Sequence, residues 1–69
     1  MNVLSDITGT VWKVEAVVGQ AVAAGDTLLV VESMKMEIPV TAPVAGVVAA
    51  VLVAEGEAVE DGMTVVMLQ

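Results

Sequence analysis

"GQAVAAGDTLL" (Gly19–Leu29) and "GEAVEDGMTVV" (Gly56–Val66) are two versions of one phrase. Each opens on a glycine, reaches Ala-Val two residues later, and meets a second glycine and a threonine at the same spacing. At the same offset of 37, "GTVWKV" (Gly9–Val14) falls on "GVVAAV" (Gly46–Val51), and Val3 falls on Val40. Eight of the 24 pairs between residues 9–32 and 46–69 are identical. A chain with 17 valines and 10 alanines makes that count suggestive only; the glycines are stronger, because all six pair. The pattern is that of an internal duplication.

Each copy reads as strand, tight turn, very short strand, turn, strand. β-branched runs such as "TVWKVE", "TLLVVE", "GVVAAVLV" and "TVVML" favour extended chain. Gly19, Gly25, Gly56 and Gly62 punctuate them at turns where positive φ is expected. Val22 and Val59, between these glycines, are expected to plug the core. Eight strands are predicted, near 2–5, 10–16, 21–22, 28–33, 36–41, 46–53, 58–59 and 64–68. Pro39 cannot donate to a ladder, so its strand is expected at an edge or with the proline nitrogen facing outward. Two equivalent halves of short strands predict an all-β flattened barrel or sandwich with an approximate two-fold axis. The glycines are structural in this reading: a phosphate loop needs a Gly-Lys-Ser/Thr end and a following helix, and neither is present.

Composition narrows the function. At 69 residues the chain is one domain over 1–69, with repeats at 1–34 and 38–69. Without cysteine, stability has to come from packing, and 58% of the residues are hydrophobic. A net charge of −7 argues against nucleic acid and against an anionic membrane surface. The longest apolar stretch, Val44–Ala54, is too short to span a bilayer as a helix. No charged leader with a cleavage site opens the sequence, so a soluble module of the cytoplasm, or of an organellar matrix in a eukaryote, is expected. Glu55, Glu57, Glu60 and Asp61 lack the spacing of a calcium loop and read as a solvated acidic segment.

Only two residues are basic, Lys13 and Lys35. Lys35 lies in "ESMKME" (Glu32–Glu37), between two methionines and, beyond them, two glutamates. A solubilising charge at a hairpin tip explains the lysine but not its neighbours. Large apolar side chains at an exposed turn suggest a contact surface, although methionines filling gaps beneath the turn is the plainer alternative. A catalytic lysine needs partners, and the chain has no His, Cys, Tyr or Arg. The remaining reading makes Lys35 the substrate of another enzyme. Trp12, the one aromatic residue, has no role assigned by the pattern: it either covers the barrel end or lies exposed beside Lys13.

With these residues in place, "ESMKMEIPVTAPVAG" (Glu32–Gly46) resembles the attachment segment of biotin carboxyl carrier domains, whose signature is a biotinylated lysine between two methionines. The resemblance covers essentially the whole chain. It implies two four-stranded antiparallel sheets of the biotinyl/lipoyl type, with Lys35 on an exposed hairpin. It also implies that Lys35 is joined to biotin, that Met34 and Met36 are the flanking recognition pair, and that Glu32 is the upstream acidic position read by the ligase. Neither a thumb insertion in the first half nor a Pro/Ala-rich preceding linker is present, so the chain resembles a thumbless carrier, stand-alone or excised.

The implied partners are biotin protein ligase, biotin carboxylase and a carboxyltransferase. In the implied cycle the ligase uses ATP to attach biotin, the carboxylase loads its ureido nitrogen, and the carrier delivers the carboxyl, most commonly to acetyl-CoA. The domain is then a carrier and not itself an enzyme. Glu37 either steers the turn toward a basic pocket or caps a strand end in water. Two alternatives stay open: a lipoyl domain, which usually carries Asp before the lysine and Ala after it, and an unmodified β-barrel interaction module.

Overall fold

Burial alternates along most of the β-branched runs, one side chain to the core and the next to water, as a sheet with one wet face requires. The computed structural model describes residues 1–69 and places this alternation in eight strands: β1 (Asn2–Leu4), β2 (Gly9–Val14), β3 (Ala21–Val22), β4 (Thr27–Ser33), β5 (Met36–Thr41), β6 (Gly46–Val51), β7 (Ala58–Val59) and β8 (Thr64–Leu68). They form two four-stranded sheets, in the orders β1-β8-β6-β3 and β5-β4-β2-β7, with every pairing antiparallel. No helix long and apolar enough to cross a membrane is present. The body measures 31 × 19 × 19 Å.

The two sheets correspond strand for strand under the 37-residue offset. β5, β4, β2 and β7 overlay β1, β8, β6 and β3, and the registers agree residue by residue. Val11 opposes Val31 as Val48 opposes Leu68; Leu29 opposes Val40 as Val66 opposes Val3. Even the bulges recur. An extra residue interrupts β2 at Trp12 and β6 at Ala49, and another interrupts β4 at Leu28 and β8 at Val65. A bulge adds one residue to one strand and so resets the alternation. At Leu28–Leu29 and Val65–Val66 the reset buries two consecutive side chains completely. At Trp12–Lys13 it exposes two.

Fifteen aliphatic residues fill the space between the sheets, with Ile7, Val14 and Val51 packed at the margin. Each fully buried Val or Leu contributes about 1.5–3 kcal/mol, which is how a chain without disulfides holds together. Val22 and Val59 are buried, as expected of plugs. The only buried polar residue, Ser5, donates its hydroxyl to Ile7 O at 2.6 Å, and no buried side-chain polar atom lacks a partner.

β2 and β6 stop at Val14 and Val51, two residues short of the spans expected from sequence. Beyond Val14 the ladder gives way to a shared acceptor, with Glu15 N and Ala16 N both donating to Leu28 O; Leu52 N donates likewise to Val65 O. The turn glycines 19, 25, 56 and 62 have φ between 87 and 91°, the region expected of them. β5 is an edge strand, and both expectations for Pro39 hold. Ser33 and Met36 close the hairpin as a hydrogen-bonded pair, so alternation puts Pro39 opposite Val30 in a pair that exchanges no hydrogen bonds. Its nitrogen faces away from β4.

Candidate functional site: the β4–β5 hairpin

β4 and β5 are paired from Thr27–Thr41 to Ser33–Met36, leaving two residues, Met34 and Lys35, to reverse the chain. Both have positive φ, 51° and 66°. That is the backbone of a type I′ turn, whose twist matches the flanking strands but whose usual occupants are Asn and Gly. Left-handed backbone costs an ordinary L-residue about 1–2 kcal/mol. Local preference therefore does not explain this turn. The ladders on either side of β4 impose it, and the strained turn projects its side chains beyond the end of the sheet.

Exposure follows. Met34 is 93% exposed and Met36 63%, and Lys35 is exposed between them. Neither methionine fills a gap beneath the turn, so that alternative does not hold. A thioether on a flexible stem left in water is costly for folding and well suited to meeting differently shaped apolar surfaces.

One row behind the tip, Glu32 and Glu37 face each other across the hairpin, both exposed and in a pair that exchanges no hydrogen bonds, where side chains approach most closely. Like charges so placed are destabilising by a few tenths of a kcal/mol or more. The base beneath them is tight. A Cβ on Gly9 would overlap the backbone oxygen of Glu32 and come within 2.8 Å of Val31 Cγ1, so β2 runs directly against the root of the hairpin. Met34, Lys35 and Met36 thus stand exposed at the free end of a rigid sheet, with Glu32 one rung behind them on its outer face.

The acidic segment accepts backbone hydrogen bonds, one from the end of β2 and one within its own turn. Glu55 Oε2 accepts from Val14 N at 3.1 Å and Glu57 Oε1 from Ala54 N at 2.7 Å. Trp12, unassigned from sequence, is half exposed beside Lys13 on the outer face of the hairpin's own sheet. The Val-x-x-Val spacing of Val11 and Val14 breaks strict alternation and signals a bulge, but not the face on which its extra residue falls.

Residues 3–68 match the family model described as "Biotin-requiring enzyme". A homologue of a biotinylated protein from Mycobacterium leprae is 43% identical over 61 residues, covering 88% of this chain and 86% of its own. A Bacillus subtilis protein described as a biotin/lipoyl attachment protein is 39% identical, covering 90% of this chain and 85% of its own. Among solved structures, the urea carboxylase of Kluyveromyces lactis superposes with a TM-score of 0.95 at 38% identity, over all of this chain and 6% of that one. The chain belongs to the biotin-requiring enzyme family, whose cofactor is biotin, and is a carrier domain of the kind that biotin-dependent carboxylases contain.

Proposed function

We propose that Lys35 is the residue to which biotin is joined, and that the domain carries a carboxyl group between two active sites of a biotin-dependent carboxylase. The observation that carries this reading is the strained, exposed Met34–Lys35 turn standing clear of a rigid sheet. The residues fit the group: Lys35 Nζ offers the nucleophile for an amide with the biotin carboxyl, and nothing in the fold encloses it. Formation of that amide expels one oxygen of the biotin carboxyl, which leaves on the AMP that a biotin protein ligase cleaves from ATP, and releases protons from Nζ, so the lysine's charge is lost. Bound biotin supplies a ureido nitrogen able to carry a carboxyl group.

Everything else is the protein's work. The ladders hold the attachment point fixed while the arm moves, and tethering converts transfer between a biotin carboxylase and a carboxyltransferase into an encounter at high effective concentration. Met34 and Met36 adapt to each partner in turn. Glu32 presents negative charge to the ligase. Acetyl-CoA is the proposed acceptor, supported by 44% identity over 52 residues to the biotin carboxyl carrier protein of acetyl-CoA carboxylase from Haemophilus influenzae, of which this chain spans 34%. The cytoplasm, or an organellar matrix in a eukaryote, is the proposed location.

Co-expression with biotin protein ligase, intact-mass measurement and affinity capture of the native complex test the proposal. One biotin on Lys35 and co-purification of acetyl-CoA carboxylase subunits are expected. Capture of a urea, pyruvate or other acyl-CoA carboxylase replaces only the acceptor. An unmodified Lys35 in its native host overturns the reading. The similarity to a biotin/lipoyl attachment protein favours one alternative, lipoylation of the same lysine, which the same mass measurement with a lipoyl ligase detects.

A further inference from the structure

The two-fold correspondence of the sheets is an internal control: wherever mates face the same packing but differ in exposed side chains, the difference is not demanded by the fold. The largest such difference in side-chain size is at the β2 and β6 bulges. The second half carries Ala49–Ala50 there, and the first half carries Trp12–Lys13, the chain's only aromatic residue and its only basic side chain besides Lys35. Trp12 is 50% exposed. It shares the outer face of the hairpin's sheet with Val30 and Pro39, which continue its row across β4 and β5 toward the sheet edge. In the other sheet that row reads Ala49–Ala50, Met67 and Asn2.

We infer that Trp12, with Lys13, is a resting place for the biotin arm carried by Lys35; the inference rests on the attachment proposed above. The distances allow it. Val30, opposite the bulge, is three residues back from Ser33, and β2 lies one strand over from β4, which puts Trp12 about 12–15 Å from the turn. At the ~1.2 Å per bond that an extended chain advances, the roughly eleven bonds from Lys35 Cα to the bicyclic ring span about 13 Å, and the indole reaches back toward the tip. The chemistry also matches. A thioether ring meets an indole face favourably, Val30 and Pro39 extend the apolar floor, and the Lys13 ammonium offers donors to the ureido oxygen. Because the arm is tethered, even a weak contact is populated. Held there, the bicyclic ring has one face covered between visits to the partner sites.

The test uses the 69-residue chain, ¹⁵N-labelled, with and without biotin, its state fixed by intact mass. Trp12 provides the only indole N–H resonance. Biotinylation is expected to shift it and to give nuclear Overhauser contacts between the indole and the ring protons of the arm. In Trp12→Ala, which installs the side chain its mate already carries, capture of the biotinylated protein by avidin is expected to quicken by roughly threefold to tenfold, the range an aromatic contact commands. An indole resonance unmoved by biotinylation, or an unchanged capture rate, overturns the resting place while leaving Lys35 as the attachment site. A mass that never changes with ligase overturns both.

Discussion

The β4–β5 hairpin and the paired chain ends occupy equivalent places in the two sheets, and they differ in what closes them. At the ends, Leu68 N donates to Met1 O at 2.8 Å and the Met1 ammonium donates to Leu68 O at 2.6 Å, the pairing that Val31 and Ile38 make in the hairpin. Past that rung the hairpin adds Glu32–Glu37, Ser33–Met36 and the Met34–Lys35 turn, where the other sheet has only Gln69. The shared part is scaffold. The added part holds two residues at positive φ, two opposed carboxylates and two exposed methionines, features that weaken a fold. Stability does not account for them, whereas presentation of Lys35 does.

The strongest test of that division is Lys35→Arg. The fold should be unchanged by circular dichroism, because arginine keeps the charge and size, while ligase-dependent biotin incorporation read by avidin blot should fall to background. Any capture of the variant would move the site elsewhere.

Transplanting the hairpin is the next test. In a Lys35→Arg background, joining Gln69 to Met1 through Ser-Met-Lys-Met-Glu rebuilds the five residues the ends lack. Intact mass should show biotin on the new lysine, slowly while Gln69 stands where Glu32 does in the native hairpin, and several-fold faster after Gln69→Glu. Equal rates would show that Glu32 does not contact the ligase.

The close approaches of the two glycine mates separate rigid from yielding surroundings. Gly9→Ala drives a Cβ into the Glu32 carbonyl at the root of the hairpin, where β4 is held by ladders on both sides, whereas Gly46→Ala comes within 2.8 Å of the O of Gln69, a residue held by β6 alone through its bond from Gln69 N to Val47 O. Chemical denaturation should show about 1–3 kcal/mol lost for the first and clearly less for the second. Equal losses would mean that the hairpin root is no stiffer than the chain end.

The smallest effect expected is a gain. Met34→Asn places a residue at ease with left-handed backbone in the turn and should stabilise the domain by about 0.5–1 kcal/mol in thermal unfolding, while slowing ligation. A loss of stability would show that Met34 makes a contact the turn depends on.

How much of this could be read in advance depended on whether the cause was local. Glycine spacing and the runs of valine located all eight strands, and Pro39 announced an edge, because these are properties of the residues themselves. The ends of β2 and β6 were misplaced by two residues because Glu15 N and Ala16 N turn to Leu28 O, an acceptor that only the folded sheet supplies. The exposed frame of Lys35 was legible from its methionines. Its turn type was not, since Met-Lys carries none of the marks of a type I′ turn and its conformation is imposed from outside. Trp12 could not be placed because its orientation depends on a bulge, and the Val-x-x-Val spacing alone does not say on which face the extra residue falls.

The adjacency of Met1 and Leu68 has one more consequence. A unit whose entrance and exit are the two sides of one rung can be spliced between any two host residues a strand spacing, ~5 Å, apart. The host loop needs no rerouting and the guest no unfolding. A cassette with such joined ends can serve inside large single-chain machines as readily as on its own, so gene fusion would change its neighbours without changing its architecture.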